Sequence, residues 1–186
     1  TGIGGDGNDT FVYAANADLI NSNAIVDSLS GGAGAADAIG ISAPTGTFTI
    51  AASNDLVRAT GVEQIKVMGP TNQIITITTH ADANVDGFDT VDLSLDTLAT
   101  ANNVIDVSAS TVAGAIGFTL KDGAGISTIT GSKKTDTIDG GAGVDTIAGG
   151  LGGDTITTGT GDDFIVFTGT GNEGGLTVAT AVTIKD

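Results

Sequence analysis

Between residues 122 and 166 a single apolar residue returns at every ninth position, as Ile129, Ile138, Ile147, Ile156 and Ile165. Laid in rows of nine, the stretch reads DGAGISTIT, GSKKTDTID, GGAGVDTIA, GGLGGDTIT and TGTGDDFIV. One apolar position in nine is too sparse for a helix face, which needs three or four per two turns. The pattern predicts a three-residue strand whose middle side chain points inward, joined to the next by a six-residue turn.

Upstream the ninefold period disappears while strand-type alternation continues. TFTIA at 47–51, VEQIKV at 62–67, QIITITT at 73–79, TVDLSL at 90–95, NVIDVS at 103–108 and IGFTLKD at 116–122 each alternate over at least four residues. Ile65, Val67, Val91, Leu93, Leu95, Ile105, Val107, Ile116, Phe118 and Leu120 are expected to face one core. Closer to the N-terminus, strands are expected at 10–13 and 24–29, with a polar loop between them, and a short helical turn at 54–61. Sequential strands joined by short arches have few solutions other than a parallel solenoid. The fold class expected is therefore all-β, a right-handed parallel β-helix or β-roll. Its sections would be 1–41, a turn-and-strand module; 42–121, a ladder with variable loops; 122–166, the ninefold section; and 167–186, the start of a following unit.

Column six of the grid holds Asp136, Asp145, Asp154 and Asp163, with Ser127 in the first row. Glycine at columns one, two and four is expected to supply φ > 0 and leave the turn carbonyls approachable. If each row is half a coil, turns eighteen residues apart stack, placing Asp136 over Asp154 and Asp145 over Asp163. Carboxylates stacked about 4.8 Å apart repel unless a cation separates them. Calcium suits such a gap, because it takes six to eight hard oxygens at roughly 2.3–2.6 Å in flexible geometry. GGDGNDTFV at 4–12 repeats the row, and GGAGAADAIGI at 31–41 repeats it with one extra residue, which adds Asp9 and Asp37 as candidate ligands.

Composition sharpens this picture. Thirty glycines and a net charge of −16 accompany 22 acidic residues, of which only Glu63 and Glu173 are glutamate. So strong a preference for the shorter carboxylate points to acids fixed beside backbone turns. Six Lys and Arg make no basic patch, so nucleic acid is not an expected partner. Cysteine is absent, which excludes disulfides and thiolate metal sites. No apolar run reaches the length of a membrane span. The chain opens in mid-pattern without Met and closes on VTIKD, and is read as a fragment of a longer protein. The stretches 4–27 and 158–186 can be aligned, which fits either a larger repeating unit or convergent turns.

The rows resemble the GGxGxDxUx nonapeptides of RTX (repeats-in-toxin) proteins, which form calcium-bound parallel β-rolls. The resemblance implies Ca2+ held by Asp side chains and turn carbonyls of two stacked turns. Carried over by position, one site joins Gly131–Asp136 to Gly149–Asp154 and another joins Gly140–Asp145 to Thr158–Asp163. The oxygens would come from Asp136, Asp145, Asp154 and Asp163 and from the turn residues Gly131, Gly140, Ala142, Gly149, Gly150, Leu151, Gly152, Thr158, Gly159 and Gly161. A third site, joining Asp122–Ser127 to Gly140–Asp145, lacks its Asp and is expected to be weak or empty. Lys133 and Lys134 in the second row are expected to weaken the site there.

GGAGAAD at 31–37, GVEQIKV at 61–67 and DVSAST at 106–111 resemble phrases of RTX-type bacterial surface-layer proteins. That resemblance implies a secreted, extracellular, calcium-dependent segment on the bacterial cell surface, exported by type I secretion. Its partners would be copies of itself in a lattice or filament, with cell-surface glycan or lipopolysaccharide as a second class. The alternatives are a spacer repeat of an RTX adhesin and the calcium-folding module of a secreted enzyme. Asp82, Asn84 and Asp86 before Gly87 resemble the opening of an EF-hand loop, but Leu93 stands where that loop needs a bidentate Glu. A strand-capping turn explains them as well. His80 is the sole His, and no nucleophile, base and orienting group assemble around it, so no enzyme is expected.

Overall fold

In the computed structural model the described residues are 1–21, 24–25, 27–42, 45–51, 58–70, 72–79, 87–110 and 117–167. Their strands, numbered along the chain, stack into two long parallel sheets. The seven-stranded sheet runs from β2 (Thr10–Tyr13) through β6 (Ala38–Ile41), β9 (Gln64–Val67), β11 (Thr90–Asp92), β13 (Thr119–Lys121) and β15 (Thr137–Asp139) to β17 (Thr155–Thr157). The six-stranded sheet runs from β7 (Thr45–Ile50) through β10 (Asn72–Thr78), β12 (Asn102–Asp106), β14 (Ile126–Thr130) and β16 (Thr146–Ala148) to β18 (Phe164–Ile165). A shorter parallel sheet joins β1 (Gly2–Gly5), β5 (Leu29–Gly32) and β8 (Ala59–Thr60). Among the described residues the one antiparallel pair is β3 (Ile20–Asn21) with β4 (Ala24–Ile25). The fold is thus an all-β parallel solenoid in which the chain alternates between sheets.

From β13 onward the ninefold rows dictate the geometry. Each of β15, β16 and β17 is three residues long, and its central Ile138, Ile147 or Ile156 is buried between the sheets. Thr137 pairs with Thr155, and Thr146 with Phe164, so two rows make one coil. In the ladder the coils are longer: partners on successive coils stand 24 to 29 residues apart, against 18 in the nonapeptide section. The extra length carries a larger core of Phe48, Ile50, Ile65, Ile75, Ile77, Val91, Leu93, Ile105, Val107, Phe118 and Leu120. Each such side chain contributes about 1.5–3 kcal/mol of burial.

Several expectations are corrected. Leu95 is 47% exposed, because β11 ends at Asp92 and the Asp92 carboxylate accepts from the Ser94 amide and hydroxyl, turning the chain away from the core. The strand expected at 24–29 is split between β4 and β5. The polar loop after β2 contains a short helix, α1 (Asn16–Leu19), which sends Leu19 into the core and whose Asn16 side chain accepts from the Thr49 amide. This helix covers part of the edge strand β7. Ile116, Thr111, residues 52–57 of the expected helical turn, His80, and Asp82, Asn84 and Asp86 lie outside the described residues. So do residues 168–186.

Candidate metal centre

Every column-six carboxylate of the nonapeptide turns stands directly before a strand, and each reaches back to the coil that precedes it. The Phe118 amide donates to Asp136 Oδ1 at 2.7 Å, and the Asp136 amide to Asp154 Oδ1 at 2.9 Å. On the other sheet the Ser127 amide and hydroxyl both donate to Asp145 Oδ1 at 2.8 Å, and the Asp145 amide donates to Asp163 Oδ1 at 2.9 Å. The two stacks expected from the eighteen-residue spacing are therefore both present. Asp136 and Asp145 are fully buried.

One oxygen of each Asp is spent on this backbone bond, which leaves Oδ2 to decide what else the turn can hold. At Gly140 the point where a Cβ would stand lies 2.4 Å from the Thr158 carbonyl oxygen and 2.9 Å from Asp145 Oδ2. At Gly131 the corresponding point lies 2.1 Å from the Gly149 carbonyl oxygen and 2.7 Å from Asp136 Oδ2. Oxygens of two successive coils thus converge on a cradle that any side chain in column one would fill. The column-one glycines serve this opening. Positive φ is confined to columns two and four, as at Gly150 (φ 94°) and Gly152 (φ 129°), which corrects the expectation that all three columns need it.

The donor set fits calcium. It is hard oxygen throughout, half of it backbone carbonyl, and Asp145 Oδ2 is buried without a hydrogen-bond partner. A buried, bare carboxylate oxygen is costly until a cation compensates it. Among the described residues no three acidic or histidine side chains cluster at one point, so a metal held here depends on the carbonyls as well as the carboxylates. Bound calcium would supply positive charge between stacked coils and tie one turn to the next.

The two cradles differ. Ser132 occupies column two of the second row, and its amide and hydroxyl donate to Asp136 Oδ2 at 2.6 and 3.0 Å, with a further hydroxyl contact to Oδ1 at 2.9 Å. Asp136 is thus already satisfied where Asp145 is not. The sequence had assigned the weakness of this row to Lys133 and Lys134, whereas the structure adds Ser132 as a competitor for the carboxylate. Burial pushes the Asp136 and Asp145 carboxyls above the usual range, and burial likewise pushes Asp154 up to about 6.

In the first row Asp122 stands in column one, where the next three rows have glycine. Its carboxylate is 3% exposed and Oδ1 accepts from Asn103 Nδ2 at 2.9 Å; the same Nδ2 donates to Asp96 Oδ2 at 3.1 Å. Burial raises its pKa to about 7. Sequence reasoning missed Glu63, Asp96 and Asn103, and named Asp122 only as the start of the weak third turn. Of these, Glu63 carried a legible signal, since it precedes β9 directly as Asp136 precedes β15. The turn carbonyls are not equally free. Ala142 O accepts from the Gly125 amide, and Leu151 and Gly152 sit over Ser132 and Lys134.

Comparison with known proteins agrees with this geometry. The family described as RTX calcium-binding nonapeptide repeat (4 copies) matches residues 3–20, 121–156 and 149–172. No curated protein and no solved structure matches the chain. Proteins with these repeats are typically secreted, and no described helix is long and apolar enough to cross a membrane. The repeats bind Ca2+ and form a structural calcium-binding fold. Glycine cradles, stacked Asp turns and the family match converge on one assignment: the chain carries RTX calcium-binding nonapeptide repeats folded as a parallel β-roll.

Proposed function

We propose that the chain is a structural segment of a secreted, calcium-dependent bacterial surface protein that assembles with copies of itself into a layer or filament, and that it is not an enzyme. The observation that carries this reading is where apolar surface lies. The most exposed large apolar side chains are Ile3 at 76%, Phe164 at 61% and Phe167 at 59%, on the first and last described coils. Apolar side chains exposed beside parallel strand edges offer a surface on which a copy of the chain can pack.

Calcium gives the segment its switch. Without it, the acidic turns repel and glycine-rich rows are costly to order. With it, binding free energy becomes folding free energy. A chain so built stays loose in a calcium-poor cytoplasm and orders at the cell exterior, where cell-surface glycan or lipopolysaccharide is a second class of partner.

The test is a calcium titration followed by circular dichroism together with light scattering and negative-stain microscopy, with magnesium as control. A calcium-specific gain of β signal accompanied by sheets or filaments is expected. Ordering that leaves the chain monomeric overturns the assembly reading in favour of a spacer or a folding module.

A further inference from the structure

We propose that the coil carrying β12 and β13 is closed without metal, the side-chain amide of Asn103 standing where the later rows hold calcium, and that this coil is the finished template on which the nonapeptide rows order. The inference concerns how calcium-linked ordering begins and does not depend on self-assembly.

The register isolates this coil. On the six-stranded sheet Asn103 pairs with Ser127, whose amide donates to Asp145 Oδ1, so the positions in line with column six read Asn103, Ser127, Asp145 and Asp163. On the seven-stranded sheet Thr90 pairs with Thr119 and Thr119 with Thr137, which puts Phe118 in line with Asp89 before it and Asp136 after it. Where the ladder meets the rows, one coil therefore has no carboxylate at this position on either sheet. Phe118 is buried and packs edge-to-face on Phe88 at 5.8 Å, an apolar closure on its side.

Asn103 makes the closure on the other side. Its Oδ1 accepts from the Ile75 amide at 2.9 Å, as Asp145 Oδ1 accepts from the Ser127 amide. What differs is the second atom of the side chain. In Asp145 it is Oδ2, buried and without a hydrogen-bond partner. In Asn103 it is Nδ2, which donates to Asp96 Oδ2 at 3.1 Å and to Asp122 Oδ1 at 2.9 Å. The reverse orientation would set Oδ1 against two carboxylates, so the partners fix the assignment. The turns that hold the two acids are stacked, since the Ala124 amide donates to the Asp96 carbonyl at 2.9 Å. One nitrogen that offers both its hydrogens thus ties carboxylates of successive turns, the task a cation performs in the rows. All three side chains are at most 3% exposed.

The backbone around this group is otherwise rich in oxygen. At Gly123 the point where a Cβ would stand lies 2.2 Å from the Asp96 carbonyl oxygen and 2.7 Å from that of Leu93. Calcium takes hard oxygens, and the amide hydrogens of Asn103 would face it with positive charge, so the residues present do not fit the ion here. Because amide and aromatic contacts need no metal, this coil is complete before calcium arrives. It then offers Asp136 the Phe118 amide and offers β14 a paired strand edge in β12, the contacts from which ordering propagates along the solenoid.

The experiment follows single sites by hydrogen-exchange NMR on the full chain in excess chelator. The Ile75 amide and the Asn103 Nδ2 protons are expected to stay protected while the Asp145 amide loses its protection; loss at Ile75 and Asn103 as well overturns the template. Asn103→Asp supplies the acid that this coil lacks. It is expected to add one bound calcium per chain in equilibrium dialysis and to make protection at Ile75 depend on calcium, and an unchanged count overturns the assignment of Asn103. Should Asn103→Asp fail to fold, diffraction from the wild-type chain crystallised with calcium decides. Asn103 Nδ2 between Asp96 and Asp122 with no ion supports the proposal. An ion on Asp122 Oδ2, which has no hydrogen-bond partner, overturns it.

Discussion

The ladder between residues 45 and 107 and the nonapeptide section after 122 share the same two sheets but are held together by different forces. A ladder coil brings several large side chains inward, among them Phe48, Ile50, Ile75, Ile77 and Leu93. A nonapeptide coil brings in two, such as Ile138 and Ile147. Shortening the coil to 18 residues removes apolar area faster than it removes backbone to be ordered, so the deficit falls on the turns. The lesson is that the unbroken array of nonapeptide turns lies where the core is thinnest.

Calcium removal tests this contrast most severely. With excess chelator, hydrogen exchange is expected to strip protection from the amides of β15–β18 while those of β7, β9, β10 and β12 keep most of theirs. Uniform loss along the solenoid would erase the distinction between the two sections.

Core truncation is expected to separate them next. Phe48→Ala should cost about 3–5 kcal/mol in urea unfolding whether or not calcium is present. Ile147→Ala should cost about 2–5 kcal/mol with calcium and leave the chelated protein unchanged, because that section is then already unfolded. Equal costs in both media for Ile147→Ala would mean that the section folds without metal.

Within the nonapeptide section the comparison narrows to two carboxylates. Asp145→Asn removes a charge from an oxygen that nothing else satisfies, and should weaken calcium binding on the order of tenfold, or ~1.4 kcal/mol. Asp136→Asn should weaken it less, since Ser132 already engages that carboxylate. Ser132→Gly restores the repeat pattern and should tighten the site. Calorimetric titration of the three variants ranks them, and the reverse order would remove Ser132 from the account.

The smallest effect is that of pH on the metal-free chain. Burial holds Asp122, which Asn103 of β12 contacts, at about 7, above the ordinary carboxyl value of 3.8. A raised carboxyl favours the folded state below its ordinary pKa, and that contribution is lost as pH rises through about 7. Chelated protein should therefore resist urea better at pH 5 than at pH 8. Calcium-loaded protein should show the opposite trend, because protons compete for the same oxygens. A metal-free chain that is more stable at pH 8 would contradict the assignment of Asp122.

How much of this could be read from residues alone depended on how local the cause was. β15, β16 and β17 were legible to the residue, because Gly and Asp fix each turn and one Ile marks each strand. The eighteen-residue stacking followed from the same rows. The partners of Asp9, Asp37 and Asn103 were not legible, because ladder coils of 24 to 29 residues set them through loop lengths that keep no period. Leu95 misled because alternation continues past Asp92, whose side chain ends the strand. α1 was hidden by its length, since four residues carry no helical period.

The backbone bonds that these carboxylates accept from another coil all run the same way, from the amide of one coil to the side chain of its successor. A rod made of such steps has a head and a tail. At every step between coils one face offers amides and the other offers the acids that accept them. A copy continuing the stack would meet the first nose to back, and a mirror-like pairing of identical ends would set acid against acid. Any fibre or layer that grows along this axis is therefore polar, with two ends that need not elongate at equal rates.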